Sequence, residues 1–97
     1  MKVLLTIQCL HPLGKKAPAI SIEKYTLLEK AIYHSLQGKK GITFTDLIEC
    51  IEKDFAKQKT IFKGSVSWYA VHVKNHMETK GIIKTYIEKG RKLHILV

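Results

Sequence analysis

His72 and His76 stand four residues apart in a stretch of helical periodicity, which puts two imidazoles on one side of a helix at a spacing metals use. A zinc-protease motif also needs Glu directly after the first His, and here Val73, Lys74 and Asn75 intervene. No third ligand is apparent from the spacing, and the ammonium of Lys74 would repel a cation. The expectation is therefore solvated or partner-facing imidazoles and no metal. Cys9 and Cys50 do not form a Cys-x-x-Cys pair, which argues against a zinc ribbon or redox motif and for reduced, buried thiols. His11, His34 and His94 have no acid or nucleophile at a meaningful spacing. Gly38-Lys39-Lys40-Gly41 is too short and wrongly ordered for a phosphate loop, and Glu49 and Glu52 fall on a solvent face. These patterns point to a chain that is not an enzyme and carries no cofactor or small-molecule substrate.

What remains is charge. The 97 residues hold 17 basic and 8 acidic side chains, a formal net charge of +9. Residues 1–55 carry eight lysines against six acids, whereas residues 56–97 carry nine basic residues against only Glu78 and Glu88. An excess concentrated in this way attracts polyanions. All but one of the cations are Lys, which serves as a phosphate point charge but lacks the rigid fork with which Arg reads guanine. Contacts to a nucleic-acid backbone are expected to outweigh base reading.

The elements that position these groups follow from periodicity. Residues 2–10 alternate, with Val3, Leu5, Ile7 and Cys9 on one side, which predicts a short strand or extended arm needing a partner edge in its own or a second chain. Residues 11–18 form a loop by their Pro and Gly content. A first helix is expected over 22–37, capped by Ser21, stopped by Gly38 and carrying the stripe Ile22, Tyr25, Leu28, Ile32 and Leu36. A second starts at the capping pattern Thr43-Phe44-Thr45-Asp46 and buries Phe44, Leu47, Ile48, Ile51 and Phe55, with Ile42 stapled against Leu47. The connecting loop 57–64 is expected to tuck in both Ile61 and Phe62. Ser65 caps a third helix reaching about Lys80, whose stripe is Val66, Tyr69, Ala70, Val73 and Met77. A β-hairpin with a charged, Gly-containing tip at 88–91 follows, with alternation marked by Ile83, Thr85 and Ile87 and by Leu93, Ile95 and Val97.

This order predicts an α+β chain of three helices and a C-terminal hairpin, divided into an arm (1–20) and a main domain (21–97). Met77-Glu78-Thr79-Lys80-Gly81-Ile82-Ile83 resembles the ending of a winged-helix recognition helix, with Met where Leu is usual. The opening Gly64-Ser65-Val66-Ser67-Trp68-Tyr69 is similar to that of a group of small uncharacterised bacterial proteins of the same fold. The resemblance implies a winged helix-turn-helix over about 20–97, with the third helix facing a major groove of double-stranded DNA and the hairpin acting as a wing. Its site residues would be Ser67, Val71, His72, Lys74 and Asn75 on the helix, and Lys89, Arg91 and Lys92 on the wing. That function would be transcription-regulator-like. Because the fold serves unrelated tasks, a second expectation stands beside it: a protein-interaction or homodimerisation module using Val3, Leu5 and Ile7 of the first strand and an exposed Trp68. The favoured role for Trp68, however, is packing against the loop that carries Phe62. The opening Met1-Lys2-Val3-Leu4-Leu5 imitates a secretion signal, but Thr6 and Gln8 interrupt it and no small-residue cleavage site follows. With no apolar run near the ~20 residues of a membrane span, the expectation is a cytoplasmic chain.

Overall fold

A computed structural model describes residues 5–97, so Val3 of the expected dimer strand lies outside the described residues. The order is β1 (Thr6–Gln8), β2 (Ala19–Ser21), α1 (Ile22–Leu36), α2 (Phe44–Lys57), α3 (Val66–Thr79), β3 (Ile83–Glu88) and β4 (Arg91–Leu96). The described residues are thus α+β, with three helices and a C-terminal antiparallel hairpin.

Local chemistry explains where each helix starts. Ser21 Oγ accepts from the Lys24 N–H at 3.3 Å, Thr43 Oγ1 from the Asp46 N–H at 3.2 Å and Ser65 Oγ from the Trp68 N–H at 3.2 Å. Each bond satisfies a donor that the first turn leaves free. From these starts the apolar stripes converge. Leu28, Ile32 and Leu36 of α1, Leu47 and Ile51 of α2, and Ala70, Val73 and Met77 of α3 all reach the centre. Two residues expected inside are not there. Ile22 stays at the surface, and Ile61 is 85% exposed while its neighbour Phe62 stacks on Phe55 at 5.7 Å. The loop has room to insert one side chain, and alternation along an extended segment sends the next one outward.

The hairpin closes through the two-residue turn Lys89-Gly90, both at positive φ (52° and 75°), as the twist of adjacent strands favours. Its register pairs Ile83 with Leu96, Thr85 with His94 and Ile87 with Lys92. Consequently the inner face of β4 carries His94 and Leu96 rather than the Leu93, Ile95 and Val97 set that marks its alternation. The hairpin is tied down at two further points. Ile42 and His94 exchange backbone hydrogen bonds of 3.1 and 2.8 Å, and the Tyr86 hydroxyl donates to the Lys40 carbonyl at 2.9 Å. Gly41, at φ +106°, lies so close to Tyr86 Oη that a Cβ there would collide with it. Ile42 therefore serves as a strand-like anchor beyond the staple role expected of it.

At the other end, β1 pairs antiparallel with β2, Ile7 opposite Ile20. The strand thus finds its partner edge within its own chain. Cys9 and Ile20, each 1% exposed, belong to the same core as the helices, so the arm is packed into the helical body. Replacing Ile20 with Ala is expected to lower unfolding free energy by about 2–5 kcal/mol, measured by urea denaturation. A loss below about 0.5 kcal/mol, the usual size of a surface substitution, would show the strand pair to be peripheral to the core.

Candidate functional site

The surface between α3 and the C-terminal hairpin brings together four of the residues singled out above, Val71, Lys74, Asn75 and Lys92. Ser67 and Trp68 in the first turn of α3 are exposed, while Val71, His72 and Asn75 further along are half-buried. Trp68, at 48% exposed, meets Tyr69 and His72 edge-on, with ring centroids 4.8 and 4.7 Å away. The seal over the Phe62 loop is made instead by Tyr69, whose ring meets Phe62 edge-on at 5.5 Å. The packing role expected of Trp68 therefore belongs to its neighbour. One residue's advance along the helix, 100°, turns Tyr69 inward and leaves the indole half in solvent.

Lys74 is the main departure. It is 4% exposed, and its ammonium lies 3.3 Å from Glu78 Oε2, one turn along the helix. The other oxygen of Glu78 accepts from the Thr85 hydroxyl on β3, and Thr85 Oγ1 lies 3.0 Å from His94 Nδ1 on β4. Since the single Thr85 proton is spent on an acceptor-only carboxylate, His94 Nδ1 must carry the hydrogen of that last bond. Burial pushes the His94 pKa down to about 4, reinforced by the charges of Lys74 and Lys92 and opposed by Glu78. Lys74 is thus an interior cation held by a carboxylate, and the structure removes it from the groove-facing set. The helix pattern placed it at the border of the outward face. The hairpin that lies over that border turns it inward.

His76 is likewise interior. At 5% exposed it accepts the Leu10 N–H at Nδ1, 2.9 Å away, and meets the Tyr25 ring edge-on at 5.6 Å. Burial is the main cause that lowers its pKa, followed by Lys80 and opposed by Glu29. His72 and His76 share a helix side but not an environment. The expected solvated imidazole describes neither fully, because His72 is half-buried and lowered in pKa by burial and then by His11. Among the described residues no group of three potential ligands gathers to hold a metal ion.

The hairpin cations divide by register. Lys92 shares a face with Thr85 and His94, and so lies toward α3, whereas Arg91 and Lys84 belong to the opposite face and Lys89 sits at the apex. All four are exposed. Between helix and hairpin lies a cleft of about 460 Å³, whose walls include Val71 and Asn75 of α3 and Ile87 and Lys92 of the hairpin. His11, Pro12 and Leu13 of the N-terminal loop complete it. The loop itself was expected, but its path over α3, the Thr85–His94 contact and the Leu10–His76 hydrogen bond were missed from the sequence. A two-residue turn at Lys89-Gly90 would have placed Thr85 opposite His94 by counting alone. The loop's path over α3 has no comparable local signal.

A family model described as "Family of unknown function (DUF6958)" matches residues 6–93, nearly the whole chain. The chain belongs to this family. No curated protein and no solved structure matches it. The DUF6958 match begins in β1 and ends in β4, so it takes in the N-terminal strand pair, the loop over α3 and the cleft together. Among the described residues no helix is long and apolar enough to cross a membrane.

A buried imidazole whose folded pKa lies near 4, against 6.5 in the unfolded chain, leaves the unfolded state binding more protons between those values. Its contribution to stability is complete above pH 6.5 and lost as pH falls toward 4. Stability is expected to drop by about 2 kcal/mol between pH 7 and 5 from His94 alone. His94→Phe, which keeps a ring against Phe44, should flatten that slope in urea titrations. An unchanged slope would show that His94 is solvated.

Proposed function

We propose that the chain is a non-catalytic winged-helix module, transcription-regulator-like, that binds double-stranded DNA chiefly through phosphates. The observation that carries this reading is the state of its cations. Lys84, Lys89, Arg91 and Lys92 on the hairpin are exposed, and Lys74 is the only Lys or Arg within ion-pair distance of a carboxylate among the described residues. Unneutralised cations on both faces and at the apex of the hairpin suit release of counterions from a duplex. The order of three helices and a hairpin is compatible with α3 lying along a major groove and the hairpin acting as a wing. Ser67, Val71, His72 and Asn75 would then face the bases. Asn75 has the donor and acceptor that adenine presents in complement, and Val71 is a partner for a thymine methyl. Lys74 has no part in this interface.

Half-exposed Trp68 favours a second reading, in which the chain is a protein-interaction or dimerisation module, because a partly exposed indole is a common anchor at protein interfaces. Salt separates the two. In fluorescence anisotropy with random duplex DNA, three or four phosphate contacts should make log K fall against log salt with a slope of about −3. Lys89→Gln, Arg91→Gln and Lys92→Gln together should cut affinity at least tenfold and reduce the slope, with thermal stability unchanged. Absent or salt-insensitive binding by the wild type would overturn the DNA reading and favour the protein-partner one. Unchanged affinity in the triple variant would remove the hairpin from the interface.

A further inference from the structure

We infer that the segment from Cys9 to Pro18 is a strap that covers the middle of α3, so that the helix reaches base edges only after the strap lifts; this rests on the DNA reading. Its two ends are secured. Cys9 is buried in the core, its N–H donates to the Pro18 carbonyl at 3.2 Å, and Gln8 Nε2 donates to the Ala17 carbonyl at 2.7 Å. Between these ends the chain runs across α3. Leu10 donates its N–H to His76 Nδ1, and His11, Pro12 and Leu13 form one wall of the cleft whose other walls include Val71 and Asn75. Those two side chains are the ones a duplex would need for reading bases, and the strap forms the wall that faces them across the cleft and narrows the approach to them.

The middle of the strap is weakly held. Residues 12–16 are exposed, and Leu10 and Leu13 leave 55% and 77% of their surface in solvent, so little apolar burial keeps them down. The turn is internally closed, with the Gly14 N–H donating to the His11 carbonyl and the Leu13 N–H to His11 Nδ1, each at 3.0 Å. It can therefore move as a unit once its side-chain bond to α3, the only one among the described residues, is broken. That bond is the latch between Leu10 and His76. An opened strap differs from a closed one in what it offers DNA, because the cleft wall that faces Val71 and Asn75 is withdrawn. A ligand that gains contacts only in the open form shifts the population toward it. While the strap is closed, affinity is reduced by the fraction of molecules that are open.

Two substitutions break the latch from opposite sides. Leu10→Pro removes the donor N–H, and His76→Phe removes the acceptor while keeping a ring against Tyr25. Each is to be compared with the wild-type chain by duplex anisotropy at one fixed salt concentration, with backbone amide exchange of residues 9–17 followed in parallel. The loss of one hydrogen bond should raise affinity about three- to tenfold and speed exchange across the strap, while melting of the domain stays cooperative. Equal or weaker binding by both variants, when wild type binds and both fold, overturns the strap and leaves the DNA reading standing. No binding by any of the three at low salt overturns both. If His76→Phe fails to fold, Leu10→Pro decides the outcome alone, since its change lies on the surface loop.

Discussion

The arrangement of α3 against the C-terminal hairpin depends on one buried polar chain: Lys74 to Glu78, Glu78 to Thr85, and Thr85 to His94. It links a helix to both strands of the hairpin through groups that could not be left unpaired. An ammonium taken out of water at this depth is tolerated only beside a carboxylate, and the carboxylate only with its second oxygen also satisfied. A shift of the hairpin by one register step would move Thr85 and His94 to the solvent face and strand the ion pair. Apolar packing such as that of Ile83 in the core tolerates small slips; this chain of bonds does not. Its value is therefore in specifying one arrangement more than in adding net stability.

The same burial shapes the electrostatics of the exterior. By drawing Lys74 inward, the fold removes a cation from the centre of the helix–hairpin surface and leaves positive charge on its rim, at Lys92, Lys89 and Arg91. Register divides that rim between two faces of the hairpin, since Lys92 looks toward α3 while Arg91 does not. A surface of this kind attracts a polyanion over several ångströms but holds few groups capable of reading a sequence. The centre of the cleft, with Val71, Pro12, Leu13 and Ile87, is largely apolar. Attraction at the rim and an apolar centre narrowed by the N-terminal loop suit a surface whose engagement has two stages.

The N-terminal segment changes the meaning of the third helix. Sequence periodicity describes a helix with one apolar stripe and one open face, but α3 in fact has three occupied sides: the core through Ala70, Val73 and Met77, the hairpin through Lys74 and Glu78, and the strap through His76. Little of it beyond the first turn is wholly free. This explains why polar residues are prominent among its buried positions, and why Ser67 and Trp68, near its start, are the parts most open to solvent.

Helix starts, turn positions and the excess of lysine were legible in the chain itself, because each depends on neighbours within a few residues. Ser21, Thr43 and Ser65 cap the helices they precede, the apolar stripes repeat at helical spacing, and Lys89-Gly90 can close only a tight hairpin. Which polar residues are interior was decided elsewhere. Lys74, His76 and His94 look alike in sequence to the exposed Lys80, Lys84 and Lys92 around them. What separates them is whether a strand or loop distant along the chain arrives to cover them: β3 and β4 over Lys74, the segment after Cys9 over His76, and Ile42 beside His94. Desolvation is a property of the space around a side chain, and that space exists only once the remote parts of the chain have come together.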